Sequence, residues 1–309
     1  MRTVPVHNAL RRGLLLVSCL SVGSLPGCGG SPTEFKFPPR PAAVVLGQSN
    51  TLEIMTWNIE MFAKGDEATI DGVARIVDTL DVDIIAVQEI ADTTEFRALI
   101  DALDGYAGLY EPGPCGDWCL KTGILYKESI VTVTEETNLF ADPEYNYAFP
   151  RPPMQYSITA SRSGHTFDFE LIVLHLKAGG SQSDLDRRRE AARLLKEYLD
   201  AEIAGGGEKD YILAGDWNDA LTDPPEFSAF SIFLDSEDYQ FLTAPLAGDN
   251  VNASYPSLLS FIDHILVSED ALAEYAGGSI HTERLDEVYS NYFTLISDHR
   301  PVMARFPVF

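Results

Sequence analysis

Positive charge is scarce in this chain of 309 residues: Lys and Arg number 22 against 47 Asp and Glu, a formal charge of -25. Such a surplus repels polyanions at long range and argues against a non-specific grip on nucleic acid. It leaves room for a nuclease whose positive charge resides in a bound ion. Cysteine is also sparse, at four, too few for a disulfide scaffold. The apolar stretch Leu14 to Leu25 falls short of the roughly 20 residues that span a bilayer. Hydrophobic residues make up 45%, enough for a large globular core.

That apolar stretch follows Arg2, Arg11 and Arg12 and reads with them as an export signal. Its ending, Leu25-Pro26-Gly27-Cys28, resembles a bacterial lipobox, in which the cysteine is acylated and becomes the new N-terminus. Leu16-Val17-Ser18-Cys19 fits the same pattern, but cleavage there would leave only Gly13 to Ser18 as the apolar region. Residues 1–27 are therefore read as a signal peptide. Residues 28–48, with Pro32, Pro38, Pro39 and Pro41, read as a tether and residues 49–309 as one domain. A simple secretory signal is the alternative. Loss of three arginines and no acids with residues 1–27 takes the charge from -25 to -28. Cys115 and Cys119 bracket Gly116-Asp117-Trp118, and an oxidising compartment would let them close a small loop.

Period-two and continuous apolar runs predict strands at Leu52–Trp57, Val82–Val87, Thr122–Tyr126, Ile130–Val133, Gln155–Ala160, Phe167–Leu174, Tyr211–Ala214, Phe261–Val267, Ser279–Thr282 and Val302–Phe306. Helical spacing predicts Ile70–Leu80, Phe96–Leu103 and Ser183–Ile203. Helices interleaved with adjacent strand pairs fit an α/β fold of two packed sheets flanked by helices.

Polar residues recur where these strands end: Asn58 and Glu60, Gln88 and Glu89, His175, and Gly215-Asp216-Trp217-Asn218. Each alone reads more simply as a turn residue or a helix cap. Together they carry a resemblance. Thr56-Trp57-Asn58-Ile59-Glu60, Gln88-Glu89-Ile90, His175-Leu176-Lys177, Gly215-Asp216-Trp217-Asn218, Ile262-Asp263-His264-Ile265 and Ser297-Asp298-His299-Arg300-Pro301-Val302 resemble, in order, the motifs of the endonuclease/exonuclease/phosphatase family.

The resemblance implies a four-layered α/β sandwich, two packed mixed β-sheets flanked by helices, with the site at one edge and Mg²⁺ or Mn²⁺ bound there. Glu89 and Asp298 would be the metal ligands, with Glu60 beside them, since hard carboxylate oxygens suit Mg²⁺. Asp216 would prepare the attacking water, and Asn58 and Asn218 would bond the phosphoryl oxygens or hold the carboxylates. Asp263 would fix the His299 ring, and His175 would bind the phosphate or assist the leaving group. Arg151 resembles a substrate-contact arginine, and Tyr126 is a candidate for the cleft wall. Arg187, Arg188 and Arg189 sit among acids and read as a solvated helix face. His264 reads as a packed strand residue.

The implied activity is metal-dependent phosphodiester hydrolysis by a monomer. Its wording differs from that of inositol phosphatases, and abasic-site repair is at odds with an export signal. Secreted sphingomyelinases would be expected to carry an apolar hairpin tip, and none stands out in the sequence. An extracytoplasmic nuclease acting on nucleic acid, anchored through Cys28 on the periplasmic or cell-surface side, is therefore expected. A lipid or small-molecule phosphodiesterase comes next, then a catalytically inactive binding lipoprotein.

Overall fold

Most strands are apolar on both sides, and that sets the number of layers. In β1 (Leu52–Phe62), Leu52 and Ile54 face one way, Met55 and Trp57 the other, and all four are buried. Each sheet must therefore be covered on both faces. Residues 45–113 and 120–309 are described here, from a computed structural model. The expected export signal, the Cys28 anchor, most of the tether and the Cys115–Cys119 loop lie outside the described residues.

One six-stranded sheet joins β1 to β2 (Ile84–Ile90), β3 (Tyr106–Tyr110), β4 (Lys121–Lys127), β11 (Ser279–Thr282) and β12 (Val302–Phe306) in the order β11-β12-β1-β2-β4-β3. The other contains β5 (Val131–Asn138), β6 (Met154–Arg162), β7 (His165–His175), β8 (Tyr211–Asp216), β9 (Tyr239–Phe241) and β10 (Asp263–Ser268), ordered β5-β6-β7-β8-β10-β9. Both are mixed, because β1 runs parallel to β2 and β7 to β8 while the other pairs are antiparallel.

Between the sheets, Ile54, Ile84 and Ala86 pack with Val173, Ile212, Ala214 and Ile265. The outer face of the first sheet, with Met55, Trp57, Ile85 and Val87, is covered by α1 (Glu67–Leu80) and α2 (Thr93–Ala102). That of the second, with Ile172, Leu174 and Leu213, is covered by α3 (Gln182–Ala204). The four-layered sandwich is thus what the chain forms.

The expected elements are present with shifted ends. Helix α2 starts at Thr93 rather than Phe96 because the Asp92 side chain accepts from the backbone N–H groups of Thr94 and Glu95. Strand β1 runs on past Trp57 to Phe62, so Asn58 and Glu60 lie within it. The short strands β3 and β9 carry no period long enough to announce themselves in the sequence.

Candidate active site

Register brings the strand ends together. In the second sheet His175 pairs with Asp216 across β7 and β8, and Asp216 pairs with Asp263 across β8 and β10. In the first, Asn58 pairs with Gln88. Strand β12 runs antiparallel to β1, with Thr56 opposite Val302, so the preceding Asp298 and His299 arrive at the same end. Gly215 allows this approach: a Cβ there would lie 2.0 Å from the Leu174 carbonyl oxygen.

Asn58 sits at the centre. Its Nδ2 donates to Glu89 Oε1 at 3.3 Å and to Asp216 Oδ2 at 3.1 Å, linking the two sheets. Its Oδ1 accepts from the Glu60 N–H at 3.0 Å, and its carbonyl oxygen accepts from Ser297 Oγ at 2.6 Å. That same hydroxyl accepts from the His299 N–H at 2.9 Å. Glu89 Oε2 accepts from the Met61 N–H at 2.9 Å. Four non-glycine residues at this end have left-handed backbones, Glu60 (φ 42°), Met61 (43°), Glu89 (66°) and Asn218 (56°). Each such conformation costs on the order of 1 kcal/mol or more, and strain of this kind clusters at functional sites.

His299 Nδ1 lies 2.8 Å from Asp263 Oδ2, while its Nε2 is 3.9 Å from both Asp216 Oδ2 and Asp298 Oδ1. Burial disfavours the charged ring, but Asp263, then Asp216 and Asp298, overcome it and push the imidazole up to about 10. These carboxylates favour the imidazolium form of the ring. Asp216 is buried beside Asp263, and both effects raise its carboxyl to about 7. That places a candidate base near working pH. His175 Nε2 lies 3.5 Å from Asp216 Oδ2 and 3.9 Å from Glu89 Oε1. Burial, with the charges of Arg151 and His299, holds His175 well below its usual value, as a neutral ring.

The only group of three His, Cys, Asp or Glu side chains among the described residues with ligand atoms within 4.8 Å is Asp216, Asp263 and His299. The Asp263–His299 hydrogen bond marks it as a carboxylate-imidazole pair. The carboxylates expected to hold a cation line the same cleft as Asp216 and His299. Burial raises the Asp298 carboxyl, and the nearby charges of Glu60 and Glu89 raise it further. Glu60, Glu89 and Asp298 line the same open cleft, Glu60 paired with Lys64, and their hard carboxylate oxygens are of the donor type that suits a divalent cation.

These groups line one cleft of about 680 Å³ that includes Glu60, Glu89, His175, Asp216, Asn218, Asp298 and His299. Asn218 Nδ2 donates to the Leu176 carbonyl oxygen at 3.2 Å, and its N–H to Asp216 Oδ1 at 2.9 Å.

Tyr126 and Arg151 are not among the residues that line this cleft. Tyr126 pairs with Ile84 at the start of β2, whereas Glu89 lies at its far end, so the antiparallel pairing carries the tyrosine away from the cleft. Arg151 is turned inward: Nε and Nη2 donate to the carbonyl oxygens of His175 and Leu176 at 3.1 and 2.8 Å, and it does not line the cleft. It positions the strand end that carries His175.

Sequence reasoning also missed residues. Arg188 is buried rather than solvated; it pairs with Asp219 at 2.9 Å and donates to the carbonyl oxygens of Lys177 and Gly179, both at 2.8 Å. Its spacing from Leu185 and Leu195, three and seven residues, was the available signal, since both lie on the buried face of α3. His264 is buried as expected, and its Nε2 reaches the Asp219 carbonyl oxygen at 3.0 Å. Tyr255 packs on His299, ring centroids 4.8 Å apart. An exposed aliphatic tip does exist, at Leu258 and Leu259.

A family model described as the endonuclease/exonuclease/phosphatase family matches residues 55–299. No curated protein matches the chain in sequence. Among solved structures, truncated Caenorhabditis elegans TDP2 gives a TM-score of 0.59 at 18% identity, over 83% of this chain and 97% of that one. A Bacteroides thetaiotaomicron mannosyl-6-phosphatase gives 0.56 at 19%, over 82% and 98%. The human Nocturnin catalytic domain with bound sulfate gives 0.57 at 18%, over 83% and 93%. At these identities the likeness is one of fold.

Proposed function

The chain belongs to the endonuclease/exonuclease/phosphatase family, whose members hydrolyse phosphoric esters, and on that premise we propose that it cleaves phosphodiesters with Mg²⁺ or Mn²⁺ at Glu89 and Asp298, Glu60 standing beside them. The observation that carries this reading is the Asn58 carboxamide, which ties Glu89 of one sheet to Asp216 of the other, next to the His299–Asp263 pair. The bound cation would neutralise charge building on the phosphoryl oxygens.

The protein's own groups supply the rest. Asp216 takes a proton from the attacking water as oxygen bonds to phosphorus. The imidazolium of His299, oriented by Asp263, donates through Nε2 to a phosphoryl oxygen, and Asn58, Asn218 and His175 hold the phosphate and the carboxylates. The bond from phosphorus to the alcohol oxygen breaks, and that oxygen leaves with the electron pair and takes up a proton from solvent, while Asp216 returns its proton to solvent. Diester plus water gives monoester plus alcohol.

Hydrolysis of bis(p-nitrophenyl) phosphate by the purified protein, with Mg²⁺, with Mn²⁺ and in EDTA, tests the reading. Activity should require the cation; full activity in EDTA would remove the proposal. The proposal also includes export and lipid attachment at Cys28, which the N-terminal residues support. Intact-mass analysis of membrane-extracted protein should show a diacylated N-terminus at Cys28. A different start, or no lipid mass, would count against it. No helix among the described residues is long and apolar enough to cross a membrane.

A further inference from the structure

Resting on the phosphodiesterase reading of this cleft, we propose that its substrate carries a single phosphate and an aliphatic substituent, packed between Met61 and the Leu258-Leu259 tip, rather than a chain of phosphates such as nucleic acid. Two independent properties of the walls point there.

The first is charge. The cleft is lined by six carboxyl side chains, Glu60, Glu89, Asp216, Asp219, Asp223 and Asp298, against one arginine, Arg188, and two histidines, His175 and His299. That arginine spends Nε on Asp219 and Nη1 on two backbone carbonyls. The lysines next to the lining are engaged too, Lys64 with Glu60 and Lys177 with Asp184. A bound divalent cation offsets the charge around one phosphate. Beyond the phosphate that His299 and a bound cation would hold, a second phosphate along the cleft would meet Asp219, Asp223 and an Arg188 already paired with Asp219, which is the reverse of what a polyanion groove provides.

The second is the apolar wall. Leu258 and Leu259 are 72% and 60% exposed, and Leu258 and Met61, itself 47% exposed, line the same cleft as the catalytic groups. Both apolar sites involve unfavourable backbone: Met61 has φ 43° and Leu259 φ 53°, a region that bulky side chains seldom occupy. The tip is also closed by backbone hydrogen bonds. Tyr255 and Ser260 exchange backbone hydrogen bonds of 2.9 and 3.2 Å, closing it into a single turn. Tyr255 packs at a tilt of 39° on His299, and Ser254 Oγ accepts from the N–H groups of Ile262 and Asp263. The leucines are thus fixed relative to the His299–Asp263 pair, where a substituent on the scissile phosphate would pass.

The test uses alkyl p-nitrophenyl phosphates from methyl to hexyl, kept below their micellar range, with Mn²⁺ and the full-length chain. Water adds to phosphorus and p-nitrophenolate leaves, so the leaving group is constant and only the alkyl arm varies. For the wild type, kcat/KM should rise about twofold to fourfold per methylene over the first few members, as expected for burying CH₂ groups. The Leu258→Ser/Leu259→Asn variant should show a much flatter series, with the hexyl ester losing most. A nucleoside p-nitrophenyl phosphodiester bearing a second phosphate should react more slowly than the same ester without it. A flat wild-type series, an equally steep series in the variant, or acceleration by the second phosphate would overturn the proposal while leaving the phosphodiesterase reading intact. Loss of binding to phosphatidylcholine vesicles by the variant with an unchanged ester series would assign the tip to a membrane surface and equally overturn it. No turnover of any ester by folded protein with either cation would refute the phosphodiesterase reading, and this inference with it.

Discussion

His264 sets up a pH-dependent stability that can be worked out from its surroundings. The ring is fully buried among Phe261, Phe241 and Phe230, at centroid distances of 5.3, 5.6 and 6.5 Å. Its Nε2 is 3.0 Å from the Asp219 carbonyl oxygen, which can only accept, so this nitrogen carries the proton. Its Nδ1, 3.0 Å from Thr243 Oγ1, then accepts from the hydroxyl, and the neutral ring is satisfied at both ends. Burial lowers the imidazole from 6.5 to about 4, against a smaller opposing pull from Asp219 and Asp263.

The unfolded chain takes up a proton near the ordinary value, and the folded chain resists until about pH 4. Between those limits the unfolded state binds more protons, so stability falls as pH falls. At about 1.4 kcal/mol per pH unit the loss from pH 7 to pH 4 is about 3 kcal/mol. Buried carboxyls act with the opposite sign. Glu53, pushed up to about 8, and Asp210, to about 7, stabilise the fold as pH falls. The clean quantity is therefore the difference between wild type and His264→Gln, whose amide can bridge Thr243 and Asp219 without titrating. Urea unfolding at pH 7 and pH 4, followed by tryptophan fluorescence, measures it; Trp217 reports locally, its Nε1 donating to the His264 carbonyl oxygen at 3.1 Å. The difference should move against the wild type by about 3 kcal/mol on acidification, or several degrees in melting temperature. A difference that stays constant within about 1 kcal/mol would refute the reasoning.

Other perturbations separate the roles of the site residues. Asp216→Asn should lower kcat by about 10²- to 10⁴-fold at any metal concentration, whereas excess Mn²⁺ should restore part of the activity of Glu89→Gln; steady-state kinetics across a metal titration distinguishes them. His299→Ala combined with Asp263→Asn should be little worse than the worse single variant, because the two act as a unit; additive losses would separate them. Arg188→Met strands the Asp219 carboxylate beside Asp223 and should cost about 3 kcal/mol, while adding Asp219→Asn should recover part of it in urea unfolding. Cys115 and Cys119 should resist alkylation in unreduced, unfolded protein if they are paired, and labelling of both would reject the pairing.

Much of the site was legible because its residues sit where local patterns break. Apolar strand runs that stop at Asn58, Glu89, His175 and Asp216 can be read from neighbours in sequence. Buried faces of α1 and α3 follow from helical spacing for the same reason. The burial of Arg188 follows from its place on the Leu185–Leu195 stripe of α3, which outweighs the charge of its sequence neighbours. Leu258 and Leu259 carry no period at all, so only the turn that closes at Ser260 shows that both are exposed and that Leu258 lines the cleft.

The sequence by itself determined which segments become strands and helices, which residue types stand at their ends and how acidic the chain is, since these depend on spacing of a few residues and on composition. Strand order and direction were decided only in the tertiary structure. Those choices place Asp263 beside Asp216, bring His299 back along β12 to Asn58, carry Tyr126 to the far end of β4 and turn Arg151 onto the backbone of His175. The physical reason is that pairing between sheets and strands is fixed by burial of both faces across distant segments, so no window of sequence contains the energy that selects it.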